Sequence, residues 1–383
     1  SALGLAPSRP SWEPQPALPP RASGWGLSPA AASLSLSAAT LALAFGMLGW
    51  APLSDAKGRV GVLRVAILLA ASLALAVPFA PSFPLLVAVR GLQGLALAGV
   101  PAVAMAYLSE EVAPRRSGAA MGLFIAGNAV GGMVGRILVG LLSARLGWRG
   151  GLLVLGLVDL MLALWFARAV PPSRRFRPRP LTRSALRSGL AASARDPVLL
   201  GLYATAFLVM GSFVTVYNYL AFSLQGPPWS LAPSTVSWVF LLYIVGVAAS
   251  PLAGRLSDRV GRPRVLLAGV GFQLVGAVGT LVVPLLPKMC ALALFTLGFF
   301  TAHAVASTGV ARRGGAEKAA ASAHSLLAYY AGSSAVGTLG GVVLARAGWS
   351  GVVGMVAALL GAALAVAAAL GRTSESGREG AAS

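Results

Sequence analysis

Eleven stretches of about 20 predominantly apolar residues occupy most of this 383-residue chain. A helix needs about 20 such residues to cross the roughly 30 Å hydrocarbon core of a bilayer. The stretches are continuously apolar and lack the alternation of lipid-facing strands, so they predict transmembrane helices. We therefore expect an all-α, polytopic membrane protein. The approximate limits are 31–51, 64–80, 83–108, 117–141, 149–170, 197–223, 234–254, 265–286, 289–311, 320–345 and 348–371.

Charged residues lie mostly in the short connections between these stretches and make up only 10% of the chain, whereas soluble proteins have about 25%,. Twenty-two of the 30 basic residues lie in one alternate set of connections and in the tail. The other set holds Arg145, Arg149, Lys288 and Arg346. Because basic loops are retained in the cytoplasm, we expect 171–196 and the tail 372–383 to be cytoplasmic. Basic clusters separated by spans do not predict a nucleic-acid partner.

Residue types that carry enzyme chemistry are scarce. The chain has one cysteine, Cys290, and two histidines, too few for a histidine-built metal site without help,. No nucleotide-binding phosphate loop and no catalytic spacing is visible,. The sequence therefore predicts neither an enzyme nor a metal or cofactor.

Two halves of the chain repeat each other. The segment WAPLSDAKGRVGVL, with Asp55, matches AGRLSDRVGRPRVL, with Asp258, 203 residues later, and Arg145-Leu-Gly-Trp-Arg-Gly returns at Arg346. Two parallel repeats joined by a cytoplasmic linker are one way to build a secondary transporter. We therefore predict a helix bundle over 31–170, a basic linker over 171–196 and a second bundle over 197–371.

The repeat also indicates that one span is missing from the first half, because Asp258 follows two predicted spans and Asp55 only one. Residues 1–30 contain seven prolines and are not expected to cross the bilayer,. We expect a truncated or altered start, with processing as the alternative.

Several further motifs stand out along the chain. They are Gly254-Arg-Leu-Ser-Asp-Arg-Val-Gly-Arg with its weaker copy at Asp55, Arg90-Gly-Leu-Gln-Gly, Gly127-Asn-Ala-Val-Gly-Gly-Met-Val-Gly-Arg, Met210-Gly-Ser-Phe-Val-Thr-Val-Tyr-Asn-Tyr, Phe300-Thr-Ala-His and Tyr330-Ala-Gly-Ser-Ser-Ala-Val-Gly-Thr-Leu-Gly-Gly. These motifs resemble those of the major facilitator superfamily, and together they look like the YnfM-type inner-membrane transporters of its drug and sugar efflux branch. The resemblance covers about residues 27–372 and implies two six-helix bundles in a bacterial inner membrane. The first copy departs from the family pattern at Ala51 and Ala56.

The Asp55 loop is a candidate conformational latch. Arg59 can pair with Glu110 or Glu111 at the end of the predicted helix 83–108, which would hold the cytoplasmic side closed. The resemblance implies the same role for the loop, whereas ordinary positive-inside topology is the alternative. We expect a weaker second copy, because the predicted helix 289–311 ends in Arg312-Arg313 rather than in an acid. The candidate latch residues are Asp55, Gly58, Arg59, Glu110, Glu111, Asp258, Arg259, Gly261 and Arg262.

Ionisable residues inside predicted spans are costly and often functional. Arg90 and Arg136 lie near outer helix ends, where they could serve transport or only snorkel to the surface. Asp159, near mid-depth, could carry protons or be a paired structural carboxyl. The resemblance links the Arg90 motif to proton transfer. Further candidates for a proton or substrate pathway are Gln93, Tyr217, Asn218, His303, His324 and Tyr329.

Small residues recur every four positions in two predicted helices, which permits close helix contact. They are Gly127, Gly131 and Gly135, and Ser333, Gly337 and Gly341. The faces could serve packing alone or could slide during transport.

The expected function is secondary transport of a small molecule by alternating access, with proton-coupled efflux by a monomer as the leading interpretation. An uncoupled facilitator and a transport-inactive truncated protein are the alternatives. Arg90 and Arg136 against Asp159 leave one net positive charge, which favours neutral, zwitterionic or anionic substrates over cations.

Overall fold

The structure, a computed structural model, describes residues 29–111, 114–174, 176, 191, 193–315 and 318–379. These residues form helices and short turns, with no strand in the described ranges, which confirms the predicted all-α class. The helices are α1 Pro29–Lys57, α2 Arg59–Ala76, α3 Phe83–Leu97, α4 Gly99–Glu111, α5 Pro114–Ala169, α6 Pro197–Gln225, α7 Pro233–Ser237, α8 Tyr243–Val260, α9 Arg262–Gly279, α10 Leu285–Arg313 and α11 Lys318–Glu379. Short 3-10 turns at Val77–Phe79 and Trp238–Leu242 follow α2 and α7.

The described helices include seven that are long and apolar enough to cross a membrane, not the eleven predicted. Two differences arise because α5 and α11 each contain two predicted stretches that meet directly at a glycine with non-helical backbone angles, Gly147 or Gly348, and so count as one segment each. Two others arise because the apolar part Ala31–Met47 of α1 is short and because Arg262 and Arg264 reduce the hydropathy of α9. The seven are Arg59–Phe79, Phe83–Leu108, Val130–Ala169, Pro197–Gln225, Pro233–Val260, Leu285–Arg313 and Ala320–Arg372.

Parts of the sequence predictions lie outside the described residues. They are 1–28 of the Pro-rich segment 1–30, most of the linker 171–196, and residues 380–383 of the tail. The helical contacts divide the rest into two compact units. Unit 1 holds the described residues within Ser1–Thr182 and Ala221–Leu241, and unit 2 holds those within Arg183–Leu220 and Leu242–Ser383.

In unit 1 the backbones of α1 and α3 contact each other with no side chain between them. A Cβ added to Gly94 of α3 would lie 1.9 Å from the carbonyl oxygen of Ala39 in α1, so only glycine permits this approach. The indole Nε1 of Trp50 donates to the carbonyl oxygen of Leu95 at 2.6 Å, one residue away. On the other side, Gly156 of α5 lies against the α2 backbone at Leu75. Small residues thus set the helix spacing in this unit.

Unit 2 uses the same device between α9 and α10. A Cβ on Gly276 would lie 2.3 Å from the backbone nitrogen of Phe295, and one on Gly298 would lie 2.3 Å from that of Gln273. Gln273 is fully buried and its Nε2 donates to the carbonyl oxygen of Val209 in α6 at 3.0 Å. The amide therefore ties α9 to α6 where the helices are too close for larger side chains.

The backbone repeats between the units as the sequence repeat predicts. Gly58 has φ 98° and ψ 144°, and Gly261 has φ 93° and ψ 141°, each as the single residue between two helices. Gly147 and Gly348 also share a positive φ, 69° and 62°, at the two kinks. Because residues with a Cβ rarely adopt such φ values, these four glycines fix the turns of both halves.

At the helix ends away from Gly58 and Gly261, side chains of each unit donate hydrogen bonds to a backbone carbonyl oxygen. In unit 1 the Arg149 guanidinium donates to the carbonyl oxygen of Ala80 at 3.4 Å. In unit 2 the carbonyl oxygen of Thr280 accepts from the ammonium of Lys288 and from the Trp349 indole, the latter at 3.3 Å. Lys288 is only 1% exposed, which corrects its assignment to a solvent-facing loop. The carbonyl and the Trp349 ring, 5.6 Å from its Nζ, hold the charge inside the protein,.

Candidate functional site

The candidate latch forms where α1 ends and α2 begins. Asp55 lies in the last turn of α1, Arg59 opens α2, and Gly58 alone connects them. The backbone N–H of Gly58 donates to the carbonyl oxygen of Ser54 at 3.1 Å, which completes the end of α1. This one-residue turn aims the Arg59 side chain back over α1.

Arg59 binds two carboxylates at once. Its Nη1 lies 2.5 Å from Asp55 Oδ1, and its Nη2 lies 2.7 Å from Glu110 Oε1 at the end of α4. Its Nε donates to Glu110 Oε2 at 3.2 Å, so the guanidinium and that carboxylate share two parallel bonds,. Nη1 also donates to the Ser54 hydroxyl at 2.7 Å. The predicted pairing is therefore present, with Glu110 of the two possible acids bonded to Arg59.

Burial strengthens this ion-pair network. The Arg59 side chain is 9% exposed, with the Phe176 ring 5.6 Å from its guanidinium carbon, whereas Asp55 and Glu110 are about a third exposed. Charges shielded from water attract more strongly than surface charges do. Glu111 is half-buried beside Glu110. The network joins the ends of α1, α2 and α4 within unit 1.

The second copy of the loop is looser. Asp258 Oδ1 lies 3.8 Å from Arg262 and 3.8 Å from Arg312, and its side chain is 65% exposed. Arg259, also a predicted latch residue, is exposed. The residue 203 positions after Glu110 is Arg313, so α10 offers Arg262 a like charge where α4 offers Arg59 an acid.

Arg313 pairs instead with Asp196, which the sequence analysis missed. Its Nε lies 2.8 Å from Asp196 Oδ2, and Oδ1 of the same carboxylate accepts from the backbone N–H groups of Val198 and Leu199 at 2.9 and 3.1 Å. Burial alone would raise the pKa of Asp196, but these hydrogen bonds and the Arg313 charge hold it below its usual range,. Asp196 thus caps α6 and ties it to α10.

Arg90 is buried against the first helix of unit 1. Only 4% of the residue is exposed, and its Nε donates to the carbonyl oxygen of Ser35 at 3.3 Å. Its Nη1 donates to Gln93 Oε1 at 2.6 Å. Gly94 lies one turn further along the same face, and its contact with Ala39 brings α1 close enough for Arg90 to reach Ser35,. The Arg90 motif thus combines a buried charge with the close contact between α3 and α1.

Arg136 and Asp159 of α5 are buried as well, at 3% and 4% exposure. The Arg136 guanidinium lies 5.5 Å from the centre of the Phe240 ring. Both arginines are therefore covered by protein in this structure.

Aromatic rings form a continuous series through unit 2. Phe213 of α6 stacks on Phe299 at 3.8 Å, Phe299 stacks on His303 at 5.7 Å, and His303 contacts Tyr329 of α11 at 4.8 Å. His303 and Tyr329 are half-buried and lie on adjacent helices. Tyr330 continues the series from Tyr329 at 5.1 Å. The series places two of the predicted pathway residues side by side.

The other predicted residues of this half have structural partners. The Tyr217 hydroxyl lies 2.7 Å from the Thr296 hydroxyl, and Tyr217 and Asn218 are almost fully buried. His324 lies apart from His303, with its Nδ1 2.9 Å from the Ser193 hydroxyl. The described residues contain no group of three metal-ligating side chains, so neither histidine belongs to such a cluster.

The small-residue faces differ in how closely they approach a neighbour. A Cβ added to Gly337 would meet Asn218 and Val214 at an ordinary 3.5 Å, whereas one on Gly332 would lie 2.1 Å from the Phe207 carbonyl oxygen and one on Gly340 2.4 Å from Thr215. The closest approach of α11 to α6 therefore lies one position before the predicted Ser333, Gly337 and Gly341. Ser333 and Gly341 are buried. In α5, Gly135 is buried, and Gly127 and Gly131 are half-buried.

Comparison with known proteins agrees with this architecture. The sequence model of the Major Facilitator Superfamily matches residues 14–230 and 228–383. The MFS-type transporter YybF of Bacillus subtilis (strain 168) is 44% identical over 347 residues, covering 91% of this chain and 86% of YybF. The inner membrane transport protein YnfM of Escherichia coli (strain K12) is 41% identical over 358 residues, covering 94% of this chain and 86% of YnfM.

Solved structures share the fold at low sequence identity. A bacterial homolog of the human lysosomal transporter Spinster, in an inward-facing and occupied conformation, has a TM-score of 0.77 and 15% identity over 97% of this chain and 94% of that one. The nucleoside transporter NupG has a TM-score of 0.75 and 14% identity over 96% of this chain and 97% of its own. The family match and the two relatives confirm the resemblance predicted from the motifs. The chain is a multi-pass membrane transporter rather than an enzyme, and it belongs to the major facilitator superfamily.

Proposed function

We propose that this chain is a proton-coupled secondary transporter that exports a small molecule by alternating access, as a monomer in a bacterial inner membrane. Its helix bundles are 31–170 and 197–371, and its linker 171–196 and tail 372–383 are cytoplasmic. The asymmetry of basic loops supports this orientation. YnfM, an inner membrane transport protein by name, supports the location.

The Arg59 network is the observation that carries the proposal. Alternating access needs contacts at one end of the helices that are strong when formed and that separate as a group. Arg59 meets this need because one guanidinium holds Asp55 on α1 and Glu110 on α4. Loss of either carboxylate would leave the buried Arg59 charge with one carboxylate partner instead of two. The equilibrium between the closed and open states should then shift strongly.

Proton coupling is argued from the ionisable groups buried in unit 1. Asp159 and Arg90 are each about 4% exposed inside helices that span the membrane by length and composition. A buried carboxyl changes its protonation readily when its surroundings change, and charges at membrane depth are by default functional. We assign proton binding to Asp159 and electrostatic control of the transport cycle to Arg90.

The proposed substrate is anionic, zwitterionic or neutral. Arg90 and Arg136 against Asp159 leave one net positive charge, and the burial of Lys288 adds another. Positive potential in a medium of low dielectric constant opposes a cationic solute. The 4-hydroxybenzoate transporter PcaK of Pseudomonas putida, named for an anionic aromatic acid, is 34% identical over 153 residues, 40% of this chain.

Flux through proteoliposomes tests the proposal. Purified full chain is reconstituted with labelled 4-hydroxybenzoate, a neutral analogue and tetraphenylphosphonium as probes, with and without an imposed pH gradient. We expect the anionic or neutral probe to move faster under the gradient than without it, and faster than the cation. Equal rates with and without the gradient would indicate an uncoupled facilitator. Rates equal to those of protein-free liposomes for all probes would favour the transport-inactive alternative.

A further inference from the structure

A basic cavity lies at the arginine-rich ends of the unit 2 helices, around the second copy of the latch loop. Its volume is about 740 Å³, within the range of about 300–1,000 Å³ that small-molecule sites occupy,. Five arginines and one acid line it: Arg259, Arg262, Arg264, Arg312, Arg313 and Asp258. Five positive charges less one negative leave four, and counting Asp196 beside Arg313 still leaves three.

The guanidinium groups are available to a ligand. The side chains of Arg312 and Arg313 are more than half exposed. Arg262 is held only loosely by Asp258 at 3.8 Å, and its side chain is 27% exposed. A planar guanidinium donates two parallel hydrogen bonds to a phosphate, so several of them around one cavity favour a phosphate group.

The backbone adds to the same preference. α9 begins at this cavity with Arg262, and its preceding residue Gly261 provides no side-chain cap. The first turn of a helix carries partial positive charge and unpaired N–H groups, which attract anions.

Part of the cavity lining is apolar, which favours a lipid over a soluble phosphate. Leu202 of α6, Leu266 of α9, Val305 of α10 and Leu370 of α11 contribute to it. Val260, which also lines the cavity, is 41% exposed. A cavity lined by both arginines and apolar side chains suits a molecule whose phosphate and acyl chains are joined, and basic pockets between transmembrane helices bind such headgroups.

We propose that this cavity is a binding site for the headgroup of an anionic phospholipid. The phosphate lies among the arginines, and the acyl chains follow the apolar surfaces of the helices. The site gives the second loop copy a role of its own, separate from the latch proposed for the first. It is independent of which substrate the chain transports.

Binding to the purified full chain in detergent tests the site. Native mass spectrometry compares phosphatidylglycerol with phosphatidylcholine of the same acyl chains, and a melting assay compares phosphatidylglycerol with inorganic phosphate and glycerol 3-phosphate. We expect phosphatidylglycerol to bind about tenfold tighter than phosphatidylcholine, since each nearby arginine adds to attraction for an anionic headgroup. We expect the soluble phosphates to stabilise the protein far less at equal concentration. Equal binding of the two lipids, or equal stabilisation by the soluble phosphates, would overturn the lipid assignment.

Charge-matched variants locate the site. Arg264→Gln with Arg312→Gln should weaken phosphatidylglycerol binding about tenfold. The control, Arg255→Gln with Arg346→Gln, removes two exposed arginines of unit 2 that do not line the cavity. It should leave binding within about twofold of the original. An equal loss in the control would show diffuse attraction and no site.

A crosslinking measurement serves if the first variant does not fold. A photoreactive phosphatidylglycerol should label peptides containing 257–266 or 305–313 of the unaltered protein. Labelling confined to other segments would contradict the proposal.

Discussion

The two copies of the latch loop share a backbone and differ in charge. Gly58 and Gly261 turn the chain through nearly the same angles, and each is followed by an arginine that faces an aspartate one helical turn earlier. In unit 1 the arginine is buried between Asp55 and Glu110. In unit 2 the position matching Glu110 is Arg313, which pairs with Asp196 directly before α6. One repeated scaffold thus carries a closed ion-pair network in one unit and an open, basic cavity in the other.

A motif can therefore be repeated in structure without keeping the same interactions in both copies. The turn depends on glycine, which both units keep, whereas the network depends on one acid at the end of a neighbouring helix. Replacement of that acid by arginine loosens Asp258 to 3.8 Å and leaves surplus positive charge. Four measurements test this difference between the two units.

The largest difference is expected from removing the aspartate of each loop. Asp55→Asn should reduce probe flux in proteoliposomes about tenfold or more, because a coupling of about 1.4 kcal/mol corresponds to tenfold. Asp258→Asn should stay within about twofold, since exposed pairs contribute little. Expression and melting temperature of both variants serve as controls. Similar losses in the two variants would refute the asymmetry.

Replacing each arginine with lysine should give a smaller difference. Lysine keeps the charge but cannot donate two parallel bonds to Glu110 as Arg59 does,. We expect Arg59→Lys to lower flux about fivefold and Arg262→Lys to change it by less than about twofold. If Arg59→Lys transports normally, then charge alone, without the two-bond geometry, maintains the network.

A third, smaller effect concerns acid sensitivity in unit 2. The pKa of Asp196 is lowered by folding, so its contribution to stability is complete above the unfolded value of 3.8 and is lost as pH falls through the folded value,. Asp196→Asn keeps a capping oxygen and removes the pair with Arg313. We expect it to cost about 0.5 kcal/mol near pH 7 and progressively less as the pH falls below 3.8,. Melting temperatures across that range would test this, and a difference that persists at low pH would contradict the ionic origin.

The smallest difference between the units should come from the glycines of the turn. Gly58→Ala and Gly261→Ala each force a residue with a Cβ into the same positive φ region, at a cost of about 1–3 kcal/mol. The two costs should agree within about 0.5 kcal/mol when measured as melting shifts. Gly254→Ala, in a helix with open space around it, is the control. Unequal shifts would mean that the turns are less alike than their angles.

The helices and the ion pair between Arg59 and Glu110 could be predicted because both depend on local patterns. Continuous apolar runs predicted helical segments, although two pairs of them meet directly at Gly147 and Gly348, where the backbone angles are not helical, with no longer loop between them. Glu110 was identified because an acid at a helix end beside a basic loop is a local signal. Asp196 was missed although an aspartate directly before a proline is a recognised start of a helix.

Contacts that depend on tertiary packing could not be predicted. Lys288 was assigned to a loop because its partner is the carbonyl of Thr280, which no side-chain pattern reveals. The spacing of Ser333, Gly337 and Gly341 matched a small face, but Gly332 and Gly340 make the closest approach. Rotation of a helix about its axis decides between adjacent faces, and that rotation is set by all of its neighbours together.

The single glycine between α1 and α2 also has a mechanical consequence. A turn of one residue offers only two soft torsions, φ and ψ of Gly58, to absorb any change of angle between the helices,. A rotation of α1 is therefore transmitted to α2 unless φ and ψ of Gly58 change. Breaking the Arg59 pairs would leave Gly58 as the remaining link between the adjoining ends of α1 and α2, so the angle between the two helices would then depend on this one residue.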